Sequence, residues 1–232
     1  LSTIAGDGIE SLTQDIDDEM VDFGYITSLQ MVSAGSTATL GISTVTGYVR
    51  KIVLTNDGFG YTQTPTVAIT TAPAGGTDAT AVAITTSVSN VFSIKEILLI
   101  NPGAGYTTAP TVSIVSAAST IAGIGSTTFG VGAAATSIVV TDSAGISTVS
   151  ISDVGSGYLK IPTVTFTTPT SGVGTATGVV EIDATGNELS RVLIRDAGIG
   201  YTSGTASATV SAPALITGIG TYKFGEIVTG SV

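Results

Sequence analysis

The chain contains no cysteine, no histidine and no tryptophan, and only 10% of its 232 residues are charged. Without cysteine there is no disulfide framework and no thiolate zinc site. Without histidine the commonest metal ligand and general base is missing. Carboxylates alone still perform acid–base chemistry, so this lack narrows the enzyme classes without closing them. Long apolar runs are also missing. Ile97-Leu98-Leu99-Ile100 is typical, far short of the ~18 residues that suggest a membrane span. Mean hydropathy is nevertheless +0.53, so the apolar content belongs to short strands and close packing, including packing between subunits. No basic segment followed by an apolar core opens the sequence, and no signal peptide is expected. The absence of cysteine does not fix the compartment.

Positive charge is scarce: seventeen acids face seven bases, for a net charge of −10. Seven of those acids, Asp7, Glu10, Asp15, Asp17, Asp18, Glu19 and Asp22, fall in the first 22 residues with no Lys or Arg among them. The remainder carries ten acids against seven bases, or −3. Nucleic-acid binding is disfavoured, because phosphate contacts require clustered Lys and Arg.

What the chain has is glycine, thirty residues of it, arranged in a pattern written four times. The copies are Gly58-Phe59-Gly60-Tyr61, Gly103-Ala104-Gly105-Tyr106, Gly155-Ser156-Gly157-Tyr158 and Gly198-Ile199-Gly200-Tyr201. Upstream, Val49, Ile94, Ile146 and Leu189 hold one apolar position. Ile52, Ile97, Val149 and Val192 hold the next, and Leu54, Leu99, Ile151 and Ile194 the third. Pro65, Pro110 and Pro162 stand four residues after their tyrosines, and Thr205 takes that place in the fourth copy. Self-similarity of this kind decides the fold before any other feature.

Each part of the pattern reads as β. Val49–Thr55 is aliphatic and β-branched, which suits a pleated strand. Its apolar positions are spaced by three and then two, which predicts a bulge early in the strand or burial of both faces. The paired glycines supply backbone freedom where a Cβ would be strained, and the tyrosine is expected to lay its ring over the turn and use its hydroxyl as a hydrogen-bond handle. Proline then opens a second strand, as in Thr66-Val67-Ala68-Ile69 and Thr163-Val164-Thr165-Phe166. A third, alanine-rich strand follows at Ala79–Ile84, Ala133–Val140 and Ala176–Ile182. Its small side chains would let another backbone approach closely. No stretch after residue 30 shows helical periodicity over ten residues.

The expected fold is all-β: tandem repeats of three- to four-stranded antiparallel units, sandwich-like, with a solenoid as the alternative. The expected segments are a degenerate partial repeat with an acidic insertion at 1–46, then repeats at 47–90, 91–143, 144–186 and 187–232, the last truncated. Ala34–Ile42 resembles Ala74–Ile84 with a small deletion, and Gly24-Tyr25 resembles the end of a motif. Ile216–Gly225 matches Ile121–Gly130 position by position, which suggests a window from a longer repetitive polypeptide.

Candidate sites are few. Asp15-Ile16-Asp17-Asp18-Glu19 offers oxygens for Ca²⁺ but lacks the loop spacing of a calcium hand, so a solvated acidic segment explains it more simply. Asp57, Asp153 and Asp196 recur just before the glycines, with Asn101 and Pro102 in the second copy. Asx-type turn bonding accounts for them better than a metal. Glu181 and Asp183 at i, i+2 would share a strand face, with no cleft marked for glycoside hydrolysis. The glycine pairs lack the helix and lysine of a phosphate loop. The tyrosines would stack on sugars if exposed, but a packed tyrosine finishing each turn is the favoured reading.

The pattern I-x-L-x-x-x-G-x-G-Y-x-x-x-P-T-V-x-I, followed by G-x-x-A-T-A, resembles tandem repeats in large virion structural proteins of T4-like phages infecting marine cyanobacteria. Similar repeats occur in bacterial surface proteins. Gly220-Thr221-Tyr222-Lys223-Phe224-Gly225-Glu226-Ile227-Val228 is similar to the phage proteins too. The resemblance implies a tail, baseplate or fibre component without catalytic, metal or cofactor residues, located in the virion and contacting other virion proteins or copies of itself. The alternative is an adhesin module of a tail fibre or bacterial cell surface, binding a receptor or host surface glycan. No enzyme, no nucleic-acid partner and no membrane span are expected.

Overall fold

The computed structural model describes residues 29–33, 35–88, 91–116, 118–121, 125–128, 130, 132–170, 174–183, 187–213 and 216–220. The acidic run at 15–19, Gly24-Tyr25 and the segment after residue 220 lie outside them. The described residues contain no helix. Their strands are β1 (Leu29–Ser33), β2 (Thr39–Val45), β3 (Tyr48–Asn56), β4 (Thr66–Ile69), β5 (Thr80–Val88), β6 (Val91–Asn101), β7 (Val112–Val115) and β8 (Ala118–Ile121), then β9 (Gly125–Thr128), β10 (Ala134–Val140), β11 (Gly145–Asp153), β12 (Val164–Phe166), β13 (Thr177–Ile182), β14 (Leu189–Asp196), β15 (Ala208–Val210) and β16 (Ile216–Gly220). They form antiparallel sheets of two to four strands, and none of these sheets closes on itself.

The fold is thus all-β, as expected, but the strands of one sequence copy do not pair with one another in the way the segment boundaries suggest. In segment 47–90 each strand pairs with a strand from segment 91–143: β3 with β10, β4 with β7, and β5 with β6. In segment 144–186, β12 and β13 pair with β15 and β14 from the next copy. There β11 pairs with β2, from the first 46 residues. Segment 91–143 also carries five strands, beyond the expected three or four, because the hairpin β8–β9 is inserted between β7 and β10.

Four ladders share one register. Asn56, Asn101, Asp153 and Asp196 end the first strands and sit opposite Ala134, Thr80, Thr39 and Thr177. In each ladder one residue before that end is skipped, and a second is skipped near the start: Arg50, Lys95, Ser147 and Ser190. These early bulges explain the three-then-two spacing. The extra residue restores Val49, Ile94, Ile146 and Leu189 to the same buried side as the later apolar positions. Burial of both faces, the other reading of that spacing, holds in the second and fourth copies only. There Leu98 and Leu193 are buried, whereas Val53 and Ser150 at the same position are exposed.

The reason is the four-stranded sheet, ordered β13-β14-β6-β5. Its middle strands meet antiparallel at Ile194 and Leu99, the same motif position of two copies. Both side chains are fully buried. Tyr48, Val49, Ile94, Ile146 and Val180 join them in one contiguous core. Tyr48 packs its ring against Gly145 and donates its hydroxyl to the Gly198 carbonyl, tying the first copy to the fourth. Arg50 bonds Asp196 at 2.7 Å, and Arg195 forks onto Glu96 at 2.8 and 3.0 Å. No helix among the described residues is long and apolar enough to cross a membrane.

Candidate functional site

The feature that recurs is the turn between the first and second strands of each copy. Both glycines of every pair have positive φ. The first members, Gly58, Gly103, Gly155 and Gly198, lie at 59, 72, 65 and 69°. The second members, Gly60, Gly105, Gly157 and Gly200, lie at 79, 80, 77 and 87°. This left-handed region is nearly free for glycine and strained for residues with a Cβ. Space is short as well. A Cβ on Gly103 would stand 2.6 Å from the Thr77 carbonyl oxygen and 2.7 Å from the Ala79 nitrogen.

An Asx side chain opens each turn. Asn56, Asn101, Asp153 and Asp196 accept, through Oδ1, the N–H two residues on, at 2.8–2.9 Å. Turn bonding was the expected role, but the recurring residue in the first copy is Asn56, not Asp57. Counted from the glycine pair or along the strand, the equivalent of Asn101, Asp153 and Asp196 is Asn56, and Asp57 stands one residue later. Asp57 is exposed, and its carbonyl accepts the Ile94 N–H at 3.0 Å.

The four motif tyrosines are buried: Tyr61, Tyr106, Tyr158 and Tyr201 retain 5% or less of their surface. The hydroxyls of Tyr106, Tyr158 and Tyr201 reach across to backbone groups of another copy. Tyr106 accepts the Ala79 N–H at 2.9 Å and donates to the Thr70 carbonyl at 3.1 Å. Tyr201 accepts the Ala176 N–H at 2.8 Å and donates to Thr167 at 2.9 Å. Tyr158 accepts the Ala38 N–H at 2.9 Å. The small alanines let the ring approach the backbone, which accounts for alanine at the start of strands for which it has little propensity. Burial pushes the Tyr201 hydroxyl up from its ordinary pKa.

The main chain around these turns is reciprocal. Tyr61 and Tyr106 donate their N–H groups to Phe92 and Gly47, and Tyr158 and Tyr201 donate theirs to Asn187 and Ala144. Val49 donates to Pro102 while Ile94 donates to Asp57, and Ile146 donates to Ala197 while Leu189 donates to Val154. Copies one and two therefore clasp each other, and copies three and four do the same.

The remaining candidates converge on no reaction centre. Asp153 and Asp196 bond their own turns, and Asp196 also holds Arg50. Glu181 forks onto Arg191 across the β13–β14 ladder. Asp183 lies just past the end of β13, where its N–H bonds the Glu188 carbonyl. Among the described residues no three acidic side chains gather as a metal-holding group. A small cleft of about 150 Å³ is lined by Val45, Thr77, Asn101, Gly103, Ala104, Ser147 and Thr148. None of these carries charge, and the Asn101 side-chain Oδ1 already accepts the Gly103 N–H. Sequence reasoning missed Tyr48, which stands outside the repeated pattern. Its hydroxyl is pushed up to about 12, chiefly by burial.

No family model, curated protein or solved structure matches this chain.

Proposed function

We propose that the chain is a non-enzymatic structural part of a phage virion: a spacer or scaffold segment of a tail, baseplate or fibre, built as a tandem array. In this reading the building unit is a clasped pair of sequence copies, not a single three- or four-stranded sandwich. One observation carries the proposal. The conspicuous recurring side chains, the motif tyrosines, are buried under their turns, and three have hydroxyls bonded to backbone groups of another copy. A residue type repeated for glycan stacking would present its ring face to solvent. Here the repetition serves the main chain.

The motif's resemblance to virion proteins of cyanobacterial phages supplies the setting. Exposed apolar residues on the motif loops, Phe59, Leu159 and Ile161, suit contact with neighbouring virion proteins or copies of the chain. The test is to purify the chain, measure its mass in solution and screen it against host-surface polysaccharides. Self-association without glycan binding or cleavage agrees with a scaffold. A stable monomer that binds a glycan points to the adhesin reading, and one that cleaves it refutes both.

A further inference from the structure

The strand facing β11 is not supplied by an adjoining copy. In the first clasped pair, β10 of copy two lies on β3 of copy one. In the second pair the corresponding place, on β11 of copy three, is held by β2 in the same register. Sixteen strands are described, and two near the beginning, β1 and β2, complete a half of the fold otherwise built from β11–β16. They connect to the other described strands only through Thr46 and Gly47, which lead straight into β3 in the other half.

The contact that β2 makes is a strand-addition contact. It has the full antiparallel ladder, with Ser150 and Ser152 donating their hydroxyls to the Gly41 and Thr39 carbonyls. Ser36 and Ser156 exchange further bonds beside it. Main-chain pairing of this kind is indifferent to which molecule supplies the strand. No side chain of β2 is fully buried, but Leu40, Ile42 and Val45 pack against the core, so the place that β2 vacates has to be refilled by an equivalent strand. The link is short, and Gly47 sits at φ +64° against the Tyr106 carbonyl. Extending that link releases the left-handed turn and carries β1 and β2 away together.

We infer that β1 and β2 are an exchangeable closing segment, and that the edges of β11 and β16 form an acceptor site for the same two strands of a second copy. Exchange produces either a reciprocal dimer or a head-to-tail chain, with each ladder unchanged and only its donor differing. The inference stands on ladder geometry and holds whether or not the assembly is a virion.

The absence of cysteine makes the test clean. A Cβ built on Gly41 lies 4.0 Å from the Ser150 Cβ, within the ~3.5–4.5 Å that a disulfide spans. Gly41→Cys and Ser150→Cys are placed on separate, differently tagged full-length chains, which are unfolded together, refolded and oxidised. Exchange predicts a 41–150 disulfide between the two tags, mapped by peptide mass spectrometry and increasing with protein concentration. If the mixed chains yield no 41–150 linkage at any concentration, while the double variant on one chain oxidises fully within itself, the segment closes only its own molecule and the inference fails. Ser43→Cys with Thr148→Cys, partners in the same ladder and both exposed, gives the same readout if cysteine at 41 prevents folding.

Discussion

Alanine at Gly60 and at Gly103 should separate two costs that the turns combine. Both glycines have positive φ, 79 and 72°. Placing alanine in this region costs about 1–2 kcal/mol, partly offset by roughly 0.4–1 kcal/mol from restricting the unfolded chain. At Gly60 little is added, because a new Cβ finds its nearest neighbour, Gly130, at 3.8 Å. Gly60→Ala should therefore destabilise by about 1 kcal/mol. At Gly103 the Cβ meets the Thr77 oxygen at 2.6 Å, the Ala79 nitrogen at 2.7 Å and the Tyr106 ring at 2.8 Å. Two of the three are backbone, and all belong to the Tyr106 clasp, so relief requires moving Ala79 off the tyrosine hydroxyl. Overpacking of that kind adds about 1–3 kcal/mol, bringing Gly103→Ala to roughly 2–4 kcal/mol. Urea unfolding followed by far-ultraviolet circular dichroism reads the difference as a shift in midpoint at constant slope. Equal midpoints for the two variants would refute the argument that Gly103 is held by close approach as well as by its dihedral and Gly60 by its dihedral alone.

Further outcomes follow from the same contacts. Tyr106→Phe leaves the Ala79 N–H and the Thr70 carbonyl without their hydroxyl partner, and should cost about 1–3 kcal/mol in the same assay. Tyr48 has a folded pKa of about 12 against an ordinary value of 10.0. Its contribution is whole below about pH 10 and is lost as pH rises through about 12. Tyr48→Phe should thus flatten the alkaline fall in the denaturation midpoint relative to the parent chain. Glu96 is held below its ordinary pKa by its hydrogen bond to Arg195. Its contribution is present above the ordinary carboxylate range and disappears as pH falls through the lowered value. Because Arg195 is half exposed, Glu96→Gln should cost under ~1 kcal/mol at neutral pH, and less in high salt.

The fold class was legible because its signals are local. Alternating β-branched residues, glycine pairs and prolines specify strands and turns within a few positions, and Pro65, Pro110 and Pro162 do stand just ahead of β4, β7 and β12. The spacing offered the early bulge as one of two readings, since an extra residue leaves its mark on the apolar period, and it did not mark the second bulge near each strand end. Pairing between copies was not legible. Equivalent strands carry equivalent apolar faces, so Leu54, Leu99, Ile151 and Ile194 give no sequence reason to prefer one partner over another. Partner choice comes from the tyrosine clasps and from the links between strands, whose geometry is not written in the pattern. Tyr48 and the Arg50–Asp196 pair stayed hidden for the opposite reason: each occurs once, outside the repeated pattern, and joins copies far apart in sequence. Tyrosine burial was the reading that the sequence favoured over exposure. The alanine recurring as Ala38, Ala79 and Ala176 is a further signal for it, a small residue beside the hydroxyls of Tyr158, Tyr106 and Tyr201.

The proposed virion role is tested most directly by labelling intact phage particles with an antibody raised against the folded protein and imaging them by electron microscopy. The account predicts label at fixed, symmetry-related positions on the tail, baseplate or fibres, with the protein retained through particle purification. Label confined to the host cell surface, with none on purified particles, would contradict it.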